Sequence, residues 1–450
     1  MILMTNPQDT LQTITDLIAA AKRAGADAAD AVMFETTDVA LACRMGQQEG
    51  LERAESKGLG LRVFVGKQQA SVSSNDLSRD TMDGLVERAV AMARIAPEDP
   101  FTGLAPAETL TRDIPELDLY DPNEPPVAWM MEQAKATEDA ALSVAGITNS
   151  EGADAHYSAS RIYLATSEGF AQTYPASSTA LSVSVIAGTG VGMERDYDFS
   201  SARYVKDLMN AETIGKSAAE RALKRLNPRK PETCQVPIIF DPRVARSLVG
   251  TFAGAIYGSS VARGTSFLKD KMGQQIFPEG ISIIDDPHIR RGLGSRPFDG
   301  EGLANRKTIL IENGVLKTWL LDLRSARQLG VAPGGHAARG LSGPPSPSTS
   351  NLYLANGTIS PKDLIGDIAS GFYVTDTFGM GINTITGDYS QGASGFWIEK
   401  GEITYPVSEI TIAGQLKEMF LQITPANDLT FRYGTNTPTL RIERMTVAGT

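Results

Sequence analysis

The second half of the chain is a succession of short apolar segments separated by glycine-rich turns, and this pattern limits the possible folds more than any other feature. Asn313-Gly314 and Lys400-Gly401 each lie between alternating segments, where such pairs favour the two-residue turns of antiparallel hairpins. We therefore predict a largely antiparallel, barrel-like or sandwich-like domain with helices. The predicted helices cover 242–257, 322–329, 360–369 and 411–421. The predicted strands lie in ISIIDD, KTILIENGVLKTWLLD, GFYVTD, GINTITGDYS, GFWIEKGEITYP and TLRIERM.

The first half combines helical and strand-like periodicity. Apolar residues recur at helical spacing over 8–24, which predicts an amphipathic helix. Strand-like alternation follows at 30–44 and 48–75, with a hairpin turn at Gly66-Lys67. The remaining predicted elements are a helix at 78–95 with Met82, Leu85, Ala89 and Met92 on one side, a helix near 128–142, strands through about residue 203, and a helix at 207–226.

Length and proline content suggest where the domains divide. Residues 96–127 hold seven prolines and little periodicity, which is typical of a linker or a connection that follows the surface. A chain of 450 residues is long enough for two or more domains. We predict an α+β protein with an N-terminal α/β layer domain at 1–230 and a β-rich C-terminal domain at 231–450.

The charge of the chain argues against nucleic-acid binding. The formal net charge is −11 and the sequence pI is about 5.0, so the surface should repel phosphate backbones. The densest basic cluster lies at the end of a predicted helix, where cations interact favourably with the helix dipole. It consists of Arg221, Lys224, Arg225, Arg229 and Lys230.

Cysteine usage and hydropathy predict a cytoplasmic protein. Cys43 and Cys234 have no paired spacing, which suits a reducing compartment. The start Met1-Ile2-Leu3-Met4 has no basic flank and no apolar core of useful length, so we predict no signal peptide. No run approaches the roughly 20 apolar residues that a membrane span needs, so no membrane association is expected.

Three segments of the second half carry a family resemblance. They are FDGEGLANRKTILIENGVLKTWLLDLRSARQLG, GDYSQGASGFWIEKGEITYPVSEITIAGQLKEM and TPTLRIERMTVAG. In order and spacing these segments resemble the TldD/PmbA family over roughly 235–450, and the first half agrees in layout and in segments such as SKGLGLRVF. The resemblance implies an N-terminal α/β domain followed by a largely antiparallel β domain.

The family pairs a zinc protease subunit of the TldD type with a sister subunit of the TldE or PmbA type. In the zinc subunit, a helix carries His-Glu-x-x-x-His, which supplies two metal ligands and a general base. Aligned back from Arg263-Gly264-Thr265-Ser266, the corresponding residues here are Val249, Gly250 and Gly254. The family's third ligand is a cysteine before the last strand, and the matching stretch NDLTFRYGTNTPTLRI has none. The chain therefore resembles the sister subunit.

This resemblance implies a function within a complex. The partner would be a TldD-type zinc subunit in a cytosolic heterodimer that processes or degrades unfolded peptides. Zinc is expected in that partner, and no cofactor is expected in this chain. We expect this chain to be non-catalytic alone, and a homodimer of the isolated chain is one interpretation. Two alternatives stay open: a stand-alone peptide-binding regulator of gyrase-directed toxins, and a hydrolase with an unrecognised site.

Two further segments are candidates for contacts with a partner or substrate. The glycines Gly250, Gly254 and Gly258 form a bare stripe at spacing four, which predicts close packing within the chain or contact with the partner. Residues 331–350 are too rich in glycine, proline and serine for regular structure, and loops of this length are often functional or mobile. Their candidate residues are Gly335, His336 and Arg339; the resemblance places a comparable loop near the substrate cleft.

Two side-chain groups admit both a structural and a chemical interpretation. Asp299 and Glu301 resemble a paired-carboxylate site, but they lie in a glycine-rich turn, which favours a structural role. His288 follows two aspartates, so a metal site is conceivable, although a surface turn is the simpler interpretation. Ser394 is one residue short of a Gly-x-Ser-x-Gly nucleophile elbow.

Overall fold

Long alternating strands build a six-stranded antiparallel sheet in the first half of the protein. The computed structural model describes residues 6–450, and the strand order in this sheet is β3-β2-β1-β4-β5-β6. Its elements are α1 (Pro7–Arg23), β1 (Ala28–Arg44), β2 (Gln47–Val65), β3 (Gln68–Ser74), α2 (Arg79–Ile95), α3 (Val127–Leu142), β4 (Ile147–Thr166), β5 (Ala171–Ala187), β6 (Glu194–Ala202) and α4 (Ala211–Lys224). The stretch 1–5, on which the absence of a signal peptide was predicted, lies outside the described residues.

Four helices cover one face of this sheet. Helices α1 and α2 pack over one end of the long strands, and α3 and α4 pack over the other end. Successive side chains of a strand point to opposite faces. The opposite face therefore presents Val32 and Leu164, which pack against Phe298 of the second half. The predicted apolar face of α2 is confirmed except at Met92, which is 44% exposed.

The second half closes five strands into a barrel. Strands β16, β15, β14, β7 and β19 are neighbours in that order, and β16 also pairs with β19. A second sheet has the order β10-β9-β8-β13-β18. The strands of this half are β7 (Cys234–Phe240), β8 (Ile283–Asp285), β9 (Thr308–Glu312), β10 (Val315–Leu316), β11 (Ala337–Ala338), β12 (Ser346–Pro347), β13 (Leu352–Leu354), β14 (Ser370–Phe378), β15 (Asp388–Glu399), β16 (Glu402–Gln415), β17 (Ile423–Pro425), β18 (Thr435–Asn436) and β19 (Leu440–Ala448).

Five short helices complete this half. They are α5 (Pro242–Ala255), α6 (Gly258–Ala262), α7 (Leu323–Leu329), α8 (Pro361–Gly366) and α9 (Leu416–Phe420). Helix α5 buries Leu248 and Phe252 in the largest core cluster of the protein. The predicted α+β class and the largely antiparallel C-terminal half are confirmed. We propose that the domain boundary lies near residue 230, between α4 and β7.

Two local predictions in this half are wrong. Of the helix predicted at 411–421, only the part that forms α9 is helical. The residues before α9 continue β16, in which Ile410 and Ile412 are core residues with the alternation of a strand. The segment GINTITGDYS is mostly a turn, in which the side chain of Asn383 accepts hydrogen bonds from the backbone of Ile385 and Thr386. Short apolar runs fit a strand and a helix equally well, and the tertiary contacts decide between them.

The proline-rich connection 96–127 follows the second half of the chain. Arg327 of α7 donates hydrogen bonds to the backbone carbonyls of Phe101, Gly103 and Leu104. Leu110 forms a bridge to Leu303. Among residues 6–450, no helix is both long enough and apolar enough to cross a membrane.

Candidate functional site

Helix α5 starts at the carboxyl end of strand β7, and its first turn is held by a side-chain cap. The Asp241 carboxylate accepts a hydrogen bond of 2.9 Å from the backbone N–H of Arg243. The same carboxylate accepts a 3.0 Å hydrogen bond from the Tyr373 hydroxyl on β14. Because β14 lies parallel to β7, these contacts fix the start of α5 at one end of the barrel.

The three positions that correspond to the zinc motif lie on two different sides of α5. Val249 is 3% exposed and belongs to the core. Gly250 and Gly254 face outward, and a Cβ atom at either position would meet no heavy atom within 4 Å. The expected close packing of the glycine stripe is therefore wrong at these two positions. It is right at Gly258, where a Cβ atom would lie 2.5 Å from Leu321.

The residues at these positions do not fit a zinc ion. Valine and glycine have no side-chain nitrogen, oxygen or sulfur, whereas catalytic zinc is usually held by three protein ligands. Within the described chain, residues 6–450, no three or more His, Cys, Asp or Glu side chains form a group that could hold a metal ion.

A cationic cleft opens beside the start of α5. Its main cavity has a volume of about 520 Å³, and two adjoining cavities of about 280 Å³ and 400 Å³ share Arg243 with it. The wall of the main cavity comes from both halves of the chain. It consists of Asp196, Arg221, Lys224, Arg225, Asp241, Arg243, Tyr373, Thr375, Phe396, Ile403 and Thr404.

The Asp196 carboxylate in the lining of the cleft holds two of the arginines in place. The Arg243 guanidinium lies 3.1 Å from an Asp196 oxygen and stacks 4.3 Å above the Tyr197 ring. Arg225 pairs with Asp196 at 3.4 Å and donates a 2.9 Å hydrogen bond to the Ser394 hydroxyl. The Ser394 hydroxyl therefore has a structural role as a partner of Arg225, and this role replaces the one it would have in a nucleophile elbow.

Other cations of the cleft are less fully paired. Arg221 Nη1 is buried without a hydrogen-bond partner in the described chain, and its nearest carboxylate oxygen, on Asp198, is 3.8 Å away. Lys224 is exposed and forms no ion pair within residues 6–450. Arg246 stacks on Tyr433 at 4.4 Å, likewise without a carboxylate among the described residues. The cleft can therefore accept an anionic group.

The sequence indicated only part of this cleft. Arg221, Lys224 and Arg225 are spaced i, i+3 and i+4, so they share one face of α4. The sequence alone favours an interaction of these cations with the helix dipole, because no local pattern shows that Asp196 and Arg243 lie beside them. The spacing of the three cations was the one available signal.

The candidate residues of the loop 331–350 are buried, whereas Val331 at its start and Gly340 and Ser342 beyond Arg339 are exposed. The interpretation as a surface loop is therefore wrong for Gly335, His336 and Arg339. His336 is buried, and a Cβ atom at Gly335 would lie 2.4 Å from the Ala304 carbonyl oxygen. Arg339 Nη2 lies 3.1 Å from the Asp30 carboxylate of β1, which also pairs with Arg62 of β2. These residues join the first sheet to the second half and do not present a surface.

The two candidate acidic and histidine sites are structural. The Asp299 carboxylate accepts 2.9 Å hydrogen bonds from the backbone N–H groups of Glu301 and Leu303. Glu301 accepts a 2.8 Å hydrogen bond from the backbone of Leu323. His288 lies 2.7 Å from the Asn305 side chain through Nε2. The structural interpretation of the Asp299–Glu301 turn is thus supported by its contacts.

Glu301 should make stability fall as the pH rises. Burial and the neighbouring Asp299 carboxylate raise the pKa of Glu301 from 4.5 to about 8. The folded state then binds more protons than the unfolded state, so the stabilisation present below about pH 4.5 is lost as the pH rises through 8. Glu301→Gln keeps an oxygen for Leu323 and removes this dependence. Urea midpoints at pH 5 and pH 8 should therefore differ less in the variant than in the parent.

The exposed Glu418→Gln is the control for that comparison. Glu418 lies on the surface of α9, so its removal should leave the pH dependence of the parent unchanged. Parallel pH curves for Glu301→Gln and the parent would contradict the assignment of Glu301 as a carboxyl that is protonated in the folded protein.

Comparison with known proteins defines the class of this chain. Domain 1, the central domain and the C-terminal domain of the PmbA/TldA metallopeptidases match residues 29–93, 120–226 and 233–449. Metalloprotease PmbA of Escherichia coli is 39% identical over 94% of this chain and 92% of its own length. A PmbA homolog of Haemophilus influenzae is 36% identical over 100% of this chain and 98% of its own. The chain belongs to the PmbA/TldD metallopeptidase family.

Solved structures share the same fold. A proposed modulator of DNA gyrase from Bacteroides thetaiotaomicron superimposes with a TM-score of 0.91 at 26% identity, covering 99% of this chain and all of that one. TldE from Thermococcus kodakarensis superimposes with a TM-score of 0.82 at 22% identity, covering 97% of this chain and all of that one. The second likeness concerns the fold alone.

Proposed function

We propose that this chain is the non-catalytic subunit of a cytoplasmic metalloprotease complex of the TldD/TldE type. In this role it pairs with a zinc-bearing TldD-type subunit and takes part in the processing or degradation of unfolded peptides. The catalytic zinc and the general base belong to the partner. This chain contributes binding energy for the partner and for the peptide.

One observation carries the proposal: the helix that would hold the metal has no ligand side chains but keeps its fold. Helix α5 is capped by Asp241 and buried through Leu248 and Phe252, so the scaffold of the site is intact. At Gly250 and Gly254 it presents an open surface in place of a general base and a second histidine. A subunit whose partner carries the zinc needs the fold around the site but not the metal-binding side chains.

Mixing the separate subunits tests this proposal. We expect this chain and a TldD-type zinc subunit to co-elute in size-exclusion chromatography, as partners do when their contact buries more than about 1,200 Å² in total. The mixture should cleave unfolded peptides, and a chelator should abolish the cleavage. This chain alone should not cleave them. Chelator-insensitive cleavage by this chain alone would favour the hydrolase alternative, and peptide binding without any partner-dependent cleavage would favour the regulator.

Rebuilding the motif should not create a peptidase. In Val249→His/Gly250→Glu/Gly254→His, the imidazole at 249 enters the core, where overpacking costs about 1–3 kcal/mol. The changes at Gly250 and Gly254 have free space and replace glycine by better helix formers, so the double variant Gly250→Glu/Gly254→His should be at least as stable as the parent. Without a third ligand, the triple variant should bind no stoichiometric zinc. Metal analysis and a peptidase assay of both variants check this, and activity in either variant alone would contradict it.

A further inference from the structure

We infer that the cationic cleft beside α5 binds the carboxylate of a peptide, with the free C-terminal carboxylate as its ligand. The inference rests on the proposed function, because it names the part of the peptide that this subunit holds. It concerns the cavity of about 520 Å³ that Arg221, Lys224, Arg225 and Arg243 line.

The donors for a carboxylate come from side chains and not from the helix end. The backbone N–H groups of Arg243, Val244 and Ala245 are already bound to the side chain or carbonyl of Asp241. Arg221 differs, because it lines the cavity and its closest carboxylate oxygen among residues 6–450, on Asp198, lies 3.8 Å from Nη1 and is shared with Arg432. The charge of Arg221 is therefore only partly neutralised within the chain, so its guanidinium can pair with a ligand carboxylate.

Lys224 provides a second, independent cation. It lies three residues after Arg221 on the same face of α4, and no carboxylate of the described chain pairs with it. Arg221 and Lys224 therefore form a pair of cations on one side of the cavity. A guanidinium and an ammonium group on one wall suit the two oxygens of a carboxylate.

The apolar part of the cavity lining favours a peptide over a small inorganic anion. Phe396 of β15 and Ile403 of β16 belong to it, so an apolar side chain next to the carboxylate can be covered. Asp196 and Asp241 also line the cavity and would repel a dianion such as phosphate more strongly than a monoanion. The volume of about 520 Å³ lies within the range of pockets that enclose a drug-sized ligand, which suits the last residue or two of a peptide.

The first test compares peptides on the unaltered chain. Titration calorimetry would use one apolar pentapeptide as the free acid, as the C-terminal amide, and as the amide with one internal glutamate. We expect the free acid to bind about tenfold more tightly than the plain amide, a difference of about 1.4 kcal/mol, because the amide cannot form charge-assisted hydrogen bonds as an anion. Binding of the glutamate-containing amide as tight as that of the free acid would assign the cleft to acidic side chains and overturn the C-terminal assignment.

The second test locates the site. Arg221→Gln and Lys224→Gln should each weaken free-acid binding about tenfold. The control Lys417→Gln should not, because Lys417 is an exposed lysine of α9 outside the cleft. Equal affinity of acid and amide for the unaltered chain would overturn the proposal without relying on any variant. Binding of inorganic phosphate in preference to the peptide would also overturn it.

A last measurement separates this inference from the proposed function. Size-exclusion chromatography of Arg221→Gln and Lys224→Gln with the zinc subunit should show normal co-elution. Co-elution together with unchanged peptide affinity would sink the carboxylate site and leave the pairing intact. Loss of co-elution would instead place the two residues in the subunit contact and contradict their role in peptide binding.

Discussion

Asp30→Asn should destabilise the protein by about 3–5 kcal/mol, the cost of leaving buried charges without their counterion. Asp30 is 1% exposed and pairs with both Arg62 and Arg339, so it holds two cations at the contact between the first sheet and the second half. Although burial alone would raise the pKa of Asp30, the two guanidinium groups lower it below 3.8. Its stabilisation is therefore present above about pH 3.8 and is lost as the pH falls through the lowered value.

Urea unfolding at pH 7 measures this effect, with Asp139→Asn as the matched control. Asp139 pairs with Lys135 on the exposed surface of α3, where both side chains are about half exposed. Such a pair contributes about 0.3–0.5 kcal/mol. A loss for Asp30→Asn no larger than that of the control would show that the two halves do not depend on this network.

Opposite sides of α5 should respond to mutation with opposite signs. Phe252 is fully buried, with its ring 5.4 Å from Phe277 and 6.2 Å from Phe420, so Phe252→Ala should cost about 3–5 kcal/mol. Gly250 lies in the same helix with open space beside it, so Gly250→Ala should stabilise the protein by about 0.5–1 kcal/mol through helix propensity.

Denaturant midpoints of the two variants measure the opposite changes in stability. The signs of these changes show which side of α5 faces the core. If Gly250→Ala destabilised the protein by as much as Phe252→Ala, the outward face of α5 would be packed within this chain. That result would remove the open surface on which the proposed pairing depends.

The layout of the first sheet could be predicted because its information is local. The later part of β1 and most of β5 alternate more and less buried residues, and Gly66-Lys67 forms the turn between β2 and β3. β2 departs from this pattern, since it is largely exposed through Lys57 and buried over 58–64. Helix α1 has the apolar face that the helical spacing over 8–24 predicts, and it begins at Pro7 with a cap at Asn6, one residue before the predicted range. Elements with a long, consistent period keep that period in the fold.

The contacts between distant segments could not be predicted in this way. Residues 331–350 have a loop composition, but Arg339 is drawn into the interior because Asp30 and Arg62 lie opposite it, about 300 positions earlier in the chain. The same holds for the cleft, where Asp196 of β6 organises Arg225 and Arg243. The outward orientation of Gly250 likewise depends on which face of α5 meets the core.

The zinc content of the assembled heteromer and of each subunit measured alone is the most direct test of the proposal that this chain serves a zinc-bearing partner. The heteromer would be reconstituted, separated under denaturing conditions after metal quantification, and compared with each subunit measured alone. We predict one zinc per heterodimer, an equal content in the zinc subunit alone, and no stoichiometric zinc in this chain alone. One tightly bound zinc per molecule of this chain, retained without the partner, would contradict the proposal.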